Sequence, residues 1–250
     1  MRNDKRLYIG VGLLGLLLVL SYSPIQSSAS LVWYDTFDNE LNDTYWDYIA
    51  SQIIDGALRP VPGPPNTQLD RAAMRAYRVS NLTVGTWKFD LLETAEWDEE
   101  LDIVKAYFVS PGRPDYSDYY ALSISHATLS GEQCYIYYLE KWFDSHKTNL
   151  DDHIGEGFYT TKGVLQHIVI TRQANGLMSV YINSTLILQA TDTDITNSSY
   201  FGFYTWDDWS FDNLYAYDTI EVGNSTMLIF AGAAIAVPIV IIALLWLRKR

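Results

Sequence analysis

Apolar and polar residues alternate with a period of two through the interior of this 250-residue chain, and almost no helical 3.6-residue period accompanies them. Trp87, Phe89 and Leu91 alternate with Lys88 and Asp90; Tyr120, Leu122 and Ile124 with Ala121, Ser123 and Ser125; Ile168 and Ile170 with Val169 and Thr171. Successive side chains of a strand point to opposite faces, so each stretch reads as a strand with one buried face. Further runs at 134–143, 177–183, 185–190, 200–206 and 211–218 are rich in aromatic and β-branched residues, and Asn175-Gly176 and Pro111-Gly112 mark turns between runs. Roughly ten or more strands in one domain must close into a barrel or pack as two sheets. The irregular loop lengths favour an all-β, two-sheet antiparallel sandwich of jelly-roll type.

A few segments escape the alternation. Residues 43–51 are expected to form one or two helical turns, and RPVPGPPN at 59–66 is too proline-rich for a central strand, so it is expected to cross the surface as a polyproline-like connector. DSHKTNLDDHIGEG at 144–157 is expected to be the longest polar loop.

The two ends place the sandwich outside a cell. Residues 1–30 combine Arg2, Lys5 and Arg6, an apolar stretch from Leu7 to Leu20 and a small polar segment, the order of a secretory signal, with cleavage expected after Ala29 or Ser30. The alternative is an uncleaved anchor and a second membrane pass. Met227 to Leu247 are apolar throughout; as a helix they reach about 31 Å, the thickness of a bilayer's hydrocarbon core. Arg248, Lys249 and Arg250 form a basic tail that stays cytoplasmic. The expected order is a signal peptide at 1–30, a sandwich at 31–220, a linker at 221–226, a transmembrane helix at 227–247 and the tail at 248–250.

Between these ends, residues 31–226 carry 11 basic against 29 acidic residues, a net charge of −18. Such a surface repels nucleic acid and anionic lipid and tolerates cations. Cys134 is the single cysteine, so no intrachain disulfide forms, and it is expected to be a small apolar core residue. Asn42, Asn81, Asn183, Asn197 and Asn224 each begin an Asn-X-Ser/Thr triplet, the acceptor for N-glycosylation on an exported chain.

The stretch from Val164 to Asp218 resembles the C-terminal half of concanavalin A-like lectin/glucanase sandwiches, in particular the laminin G-like group. The resemblance rests on Gln166, His167, Ile168, Ile170, Thr171 and Arg172; on Gly176, Val180 to Asn183, Thr191 and Asp192; and on Gly202, Phe203, Asp212 and Asn213. Phe37, Asp38, Trp46, Gly56 and Leu58 fit the group's opening strands. Ser184 stands where the family often has Gly, and Leu165 where it often has Trp. The resemblance implies the sandwich fold, and a group that includes lectins, glycoside hydrolases and protein-binding modules, some of which carry calcium.

Three constellations compete as the site. Glu96, Asp98 and Glu100 match an E-x-D-x-E string similar to the catalytic strand of family 16 glycoside hydrolases; on a strand they share one face, as retaining chemistry needs, but the segment also fits a cation site or an acidic hairpin turn between two strands. Asp151, Asp152 and Glu156 offer hard oxygen ligands for calcium, or are simply solvated charges. In 200–206 the phenylalanines Phe201 and Phe203 are expected to face the core, leaving Tyr204 and Trp206, with Asp207, Asp208 and Trp209, to present rings beside carboxylates to a sugar, unless those rings pack inside. Trp97, Tyr116, Tyr119 and Trp142 are weaker members of that aromatic set.

These observations lead to a membrane-anchored extracellular module that binds carbohydrate or a glycosylated surface protein. A glycoside hydrolase is the alternative, and a structural cell-envelope role is the third.

Overall fold

The computed structural model describes residues 29–38, 45–61, 74–93, 103–129, 132–154, 163–205 and 209–220. Residues 1–28 of the expected signal peptide and the expected linker, transmembrane helix and basic tail lie outside the described residues, as do Asn42, Asn224, Trp97 and most of the proline-rich connector.

Fifteen strands are described, numbered in chain order, in two antiparallel sheets. The first sheet runs β13 (Thr185–Thr191), β12 (Leu177–Ile182), β11 (Leu165–Arg172), β6 (Gly85–Glu93), β15 (Trp209–Tyr217), β4 (Ala57–Pro60) and β3 (Ser51–Ile54), and β1 (Leu31–Asp35) also pairs with β15. The second runs β10 (His146–Ile154), β9 (Glu132–Phe143), β8 (Tyr119–Leu129), β7 (Ile103–Ser110), β14 (Tyr200–Thr205), β5 (Met74–Val79) and β2 (Trp46–Ile49).

The alternation read from the sequence sets which side of each strand is covered. Trp87, Phe89 and Leu91 of β6 are buried against Phe201 and Phe203 of β14 and Leu122 and Ile124 of β8 in one apolar core. Removing that apolar surface from water is the main force holding the two sheets face to face. Cys134 is buried and unpaired, as expected. The opening residues Phe37, Trp46 and Leu58 all join the core.

Three local expectations are corrected. Residues 46–49 and 51–54 are strands rather than helical turns: Trp46 packs its ring against Phe37 and Phe203, and backbone pairing with β5 holds the segment extended. The 144–157 stretch is no loop over its first part. Asp144 and Ser145 adopt φ of 50° and 65°, the left-handed pair of a tight hairpin turn, and β10 then pairs with β9 along its length. Being an edge strand with mostly solvent-facing side chains, β10 carries little apolar signal. Thirdly, β6 and β7 are not the two arms of a hairpin, because they belong to different sheets; residues 94–102 between them lie outside the described residues.

Arg172, at the end of β11, ties two loops together from inside. It is nearly buried, donates to the carbonyls of Thr83 (2.9 Å) and Ile195 (2.8 Å), and lies over the Tyr120 ring. Asp192 completes the same knot, accepting from the Tyr120 hydroxyl and from Lys141 Nζ at 2.5 Å; Lys141 also reaches Asp194 at 2.5 Å. Burial alone would raise the Asp192 carboxyl, but its hydrogen bonds from Lys141 and Tyr120 outweigh that and hold it below the usual range. A depressed carboxylate stabilises the fold above its unfolded value and loses that contribution as pH falls through the folded value; the Lys141 ammonium, raised by the same contacts, keeps its share until strongly alkaline pH. An Asp192→Asn variant should therefore be less stable than wild type in urea at pH 7, and the gap should narrow below about pH 4. A gap that is constant across that range would remove the ion pair as its cause.

Candidate functional site

The outer face of the second sheet, turned away from the core, is not the solvated polar surface that alternation alone implies. Register places Glu140 of β9 beside Ala121 of β8, Ala121 beside Tyr107 of β7, Tyr107 beside Gly202 of β14, and Gly202 beside Tyr77 of β5. Small residues thus alternate with large ones across the sheet, and the tyrosine rings lie down over the gaps. A methyl group on Gly202 would sit 2.3 Å from Cδ1 of Tyr77, so the absence of a side chain there is what lets that ring lie flat.

The rings form a continuous strip. Tyr77 meets Tyr107 with centroids 6.2 Å apart, Tyr107 meets Tyr119 edge-on at 4.8 Å, and Tyr119 stacks on Trp142 at 6.5 Å and 18°. Such pairs contribute about 0.5–1.5 kcal/mol each beyond area burial. Tyr77, Tyr107 and Tyr119 are buried even though they face outward.

The β7–β8 loop helps to cover them. Asp115 accepts from the Tyr77 hydroxyl at 2.8 Å and lies 3.5 Å from Arg75, while Arg113 sits over the Tyr77 ring and pairs with Asp47 at 3.0 Å. Burial, reinforced by Asp115, pushes the Tyr77 phenol far up, so it stays a hydrogen-bond donor at physiological pH. Beneath Trp142, Glu140 is fully buried between Lys105 Nζ at 2.5 Å and Lys147 Nζ at 2.7 Å. A buried carboxylate persists only with such compensation. Tyr119, raised by burial first and then by Glu140, is likewise a phenol, 3.4 Å from Glu140 Oε1.

The strip ends in a cleft of about 580 Å³ between the β7–β8 loop and the β9–β10 turn. Tyr119 and Trp142 line it together with Tyr116, Asp115, Asp118 and Asp144. Tyr116 is 86% exposed and Trp142 37%, so two rings are open to a ligand. Asp118 Oδ1 accepts from the backbone N–H of Asp144 at 3.1 Å, joining the two walls. Flat rings beside carboxylates in a cleft of this size suit a small polar ligand with an apolar face.

Against the sequence expectations, Phe201 and Phe203 are in the core and Tyr204 is on the outer face beside the strip, as the alternation requires. Trp209 is the correction: it is buried, packs on Tyr135 at 5.6 Å, and shares the inward face of β15 with Phe211. It presents nothing to solvent. Trp206, Asp207 and Asp208 lie outside the described residues, as do Glu96, Asp98, Glu100 and Glu156. Glu93 and Ile103, which flank 94–102, stand at the sandwich end opposite Ser110 and Tyr119, so the carboxylate string and the cleft are joined to opposite ends.

Asp151 is committed to backbone, accepting from Gln189 at 2.8 Å and Asp152 at 3.0 Å. Among the described residues no group of three acidic, histidine or cysteine side chains converges as a metal needs. Asn81, Asn183 and Asn197 are exposed, and Asn183 shares a two-residue turn with Ser184 at φ of 50° and 69°. The first sheet's outer face has its own polar cluster: Asp90 contacts His167 Nδ1 at 2.6 Å and accepts from Asn213 at 2.9 Å. Neighbouring Asp212 is raised by burial and by repulsion from Asp90 and Asp38.

The sequence pointed to Tyr116, Tyr119 and Trp142 only weakly and missed Tyr77, Tyr107, Asp115 and Glu140. One signal was available: in β7, Lys105 and Tyr107 alternate with Val104, Ala106 and Phe108, which marks Tyr107 as outward.

No protein-family model matches the sequence, and no curated protein matches it. Solved structures do match in shape. A Bacillus licheniformis beta-glucanase superposes with a TM-score of 0.55 at 14% identity, covering 78% of this chain and 100% of that one. The CBM2 module of the evolved Dit of Lactobacillus casei BL23 phage J-1 gives 0.55 at 9% identity, covering 77% and 97%. LamA from Zobellia galactanivorans, in complex with laminaritriose and laminaritetraose, gives 0.51 at 11%, covering 75% and 98%. Likeness at such low identity concerns architecture, and with the two described sheets it establishes that the chain adopts the concanavalin A-like jelly-roll fold.

Proposed function

We propose that this chain is an exported, membrane-anchored glycan-binding module whose cleft beside Trp142 takes a carbohydrate, free or carried by a surface glycoprotein. The observation that carries the reading is the aromatic strip Tyr77–Tyr107–Tyr119–Trp142, which runs across one sheet and opens into a carboxylate-lined cleft. A sugar offers an apolar ring face to Trp142 or Tyr116 and hydroxyls to Asp118 and Asp144. Matches to a carbohydrate-binding module and to a protein complexed with laminarin oligosaccharides support the same reading. Export and anchoring are supported by the signal-like first 30 residues, the Asn-X-Ser/Thr triplets and the apolar run at 227–247.

Hydrolysis is the alternative reading; its candidates Glu96, Asp98 and Glu100 lie outside the described residues, and on the strip itself Glu140 and Asp115 are each engaged by cations and tyrosines.

The test is retention of the full chain, purified in detergent, on a mixed glycan array. Wild type should be retained on at least one glycan class, and Trp142→Ala should weaken that binding by about tenfold or more, as loss of a buried aromatic anchor does. Equal retention of the two proteins, or none by wild type, would overturn the assignment.

A further inference from the structure

We propose that the cleft selects a glycan bearing free amines, of the glucosamine type, over neutral and acidic glycans; this rests on the cleft being a sugar site, which its cavity and aromatic rings carry, and concerns only the charge of what enters. The lining contains Asp115, Asp118 and Asp144 and, among the described residues, no lysine, arginine or histidine. Of the basic groups nearby, His146 lies against the Asp144 carbonyl oxygen, its Nδ1 at 2.6 Å, and four others are already used by carboxylates. Lys105 and Lys147 hold Glu140, Arg75 stands against Asp115, and Arg113 pairs with Asp47.

Asp115 is therefore balanced, whereas Asp118 and Asp144 show no cationic partner among the described residues. Asp118 meets Asp144 only through one backbone hydrogen bond, and Asp144 is exposed at the mouth. Around them lies an exported segment of net charge −18, so the potential in the cleft is negative and concentrates cations there. An acidic sugar entering would meet uncompensated like charge, which works against the wrong partner more strongly than attraction favours the right one.

A divalent metal is the rival use of such charge, but the described acidic side chains do not converge in threes. Charge spread along the cleft rather than focused at a point suits an organic ammonium. Trp142 and Tyr116 add what a metal would not use: exposed rings, which attract a cation held over their faces and stack on the sugar to which it is attached.

Three tetrasaccharides of equal length, one each of glucosamine, glucose and a uronic acid, are titrated into the detergent-purified full chain near pH 6, where side-chain carboxylates are ionised. The glucosamine tetramer should bind about tenfold tighter than the glucose tetramer, and the uronate should not bind, with the gap shrinking as salt rises from about 0.05 to 0.5 M. Asp144→Asn should cut the preference for the amine. Glucose or uronate binding as tightly as glucosamine, with Trp142→Ala still abolishing it, overturns the charge selection and leaves the sugar cleft standing. Binding of all three that is indifferent to Trp142→Ala, or no binding at all, removes the cleft itself and this inference with it.

Discussion

Phe203→Ala should lower the stability of the sandwich by about 3–5 kcal/mol, the range for deleting a buried phenylalanine ring. Phe203 is fully buried where the two sheets meet. Its ring stacks on Phe211 at 4.0 Å and 24°, meets Phe201 and Phe89 edge-on at 5.0 and 5.1 Å, and lies parallel to Trp46 at 6.5 Å. Those neighbours come from β14, β15, β6 and β2, so no single strand can shift to fill the hole. Since domains are stable by only about 5–15 kcal/mol, the loss is a large fraction of the total. Denaturant unfolding followed by tryptophan fluorescence measures it, with Phe203→Leu as the milder comparison. A loss below about 1 kcal/mol would mean that this core collapses freely, contrary to the close-packed interior expected here.

The second large effect should come from adding a single methyl group outside the core. Gly202→Ala places a carbon 2.3 Å from Tyr77 Cδ1 and 2.8 Å from the Ala76 carbonyl oxygen. Tyr77 is 1% exposed and has no free space to enter. Overpacking of this kind costs about 1–3 kcal/mol, and displacing the ring also strips Asp115 of its hydroxyl donor. Because Asp115 belongs to the loop that forms one wall of the cleft, glycan affinity should fall together with stability. Tyr77→Phe separates the two consequences: it keeps the ring, removes only the hydroxyl, and should weaken the cleft while disturbing the sheet less. Should Gly202→Ala match wild type in both stability and retention, the flat-lying ring would not be what positions that loop.

Much of the fold was legible because a strand's side-chain period is a local property. The inward set Trp87, Phe89 and Leu91, and the split of Phe201 and Phe203 from Tyr200 and Tyr204, follow from a period of two and are where the core forms. Failures came where alternation had little to act on. Only Trp46 of β2 is buried and β10 is almost wholly solvent-facing, so neither edge strand writes a clear pattern. Grouping Trp209 with Trp206 across Asp207-Asp208 fails because β15 begins its own register beside β6, where Trp209 stands opposite Glu93 and faces inward.

The cleft was hardly legible, for a different reason. Its two walls are the loop after β7 and the turn after β9, and what joins them is the cross-strand pairing of Tyr119 with Trp142 and the reach of Tyr77 across to Asp115, contacts between residues 23 and 38 positions apart. The sequence by itself determined that the chain alternates, which faces turn inward, that no intrachain disulfide is available and that the segment 31–226 is strongly acidic. Only tertiary structure decided which outward tyrosines are covered and where rings and carboxylates meet. Alternation is dictated residue by residue by backbone geometry, whereas hydrogen-bonded register and loop docking bring together groups whose separation along the chain carries no trace of their contact.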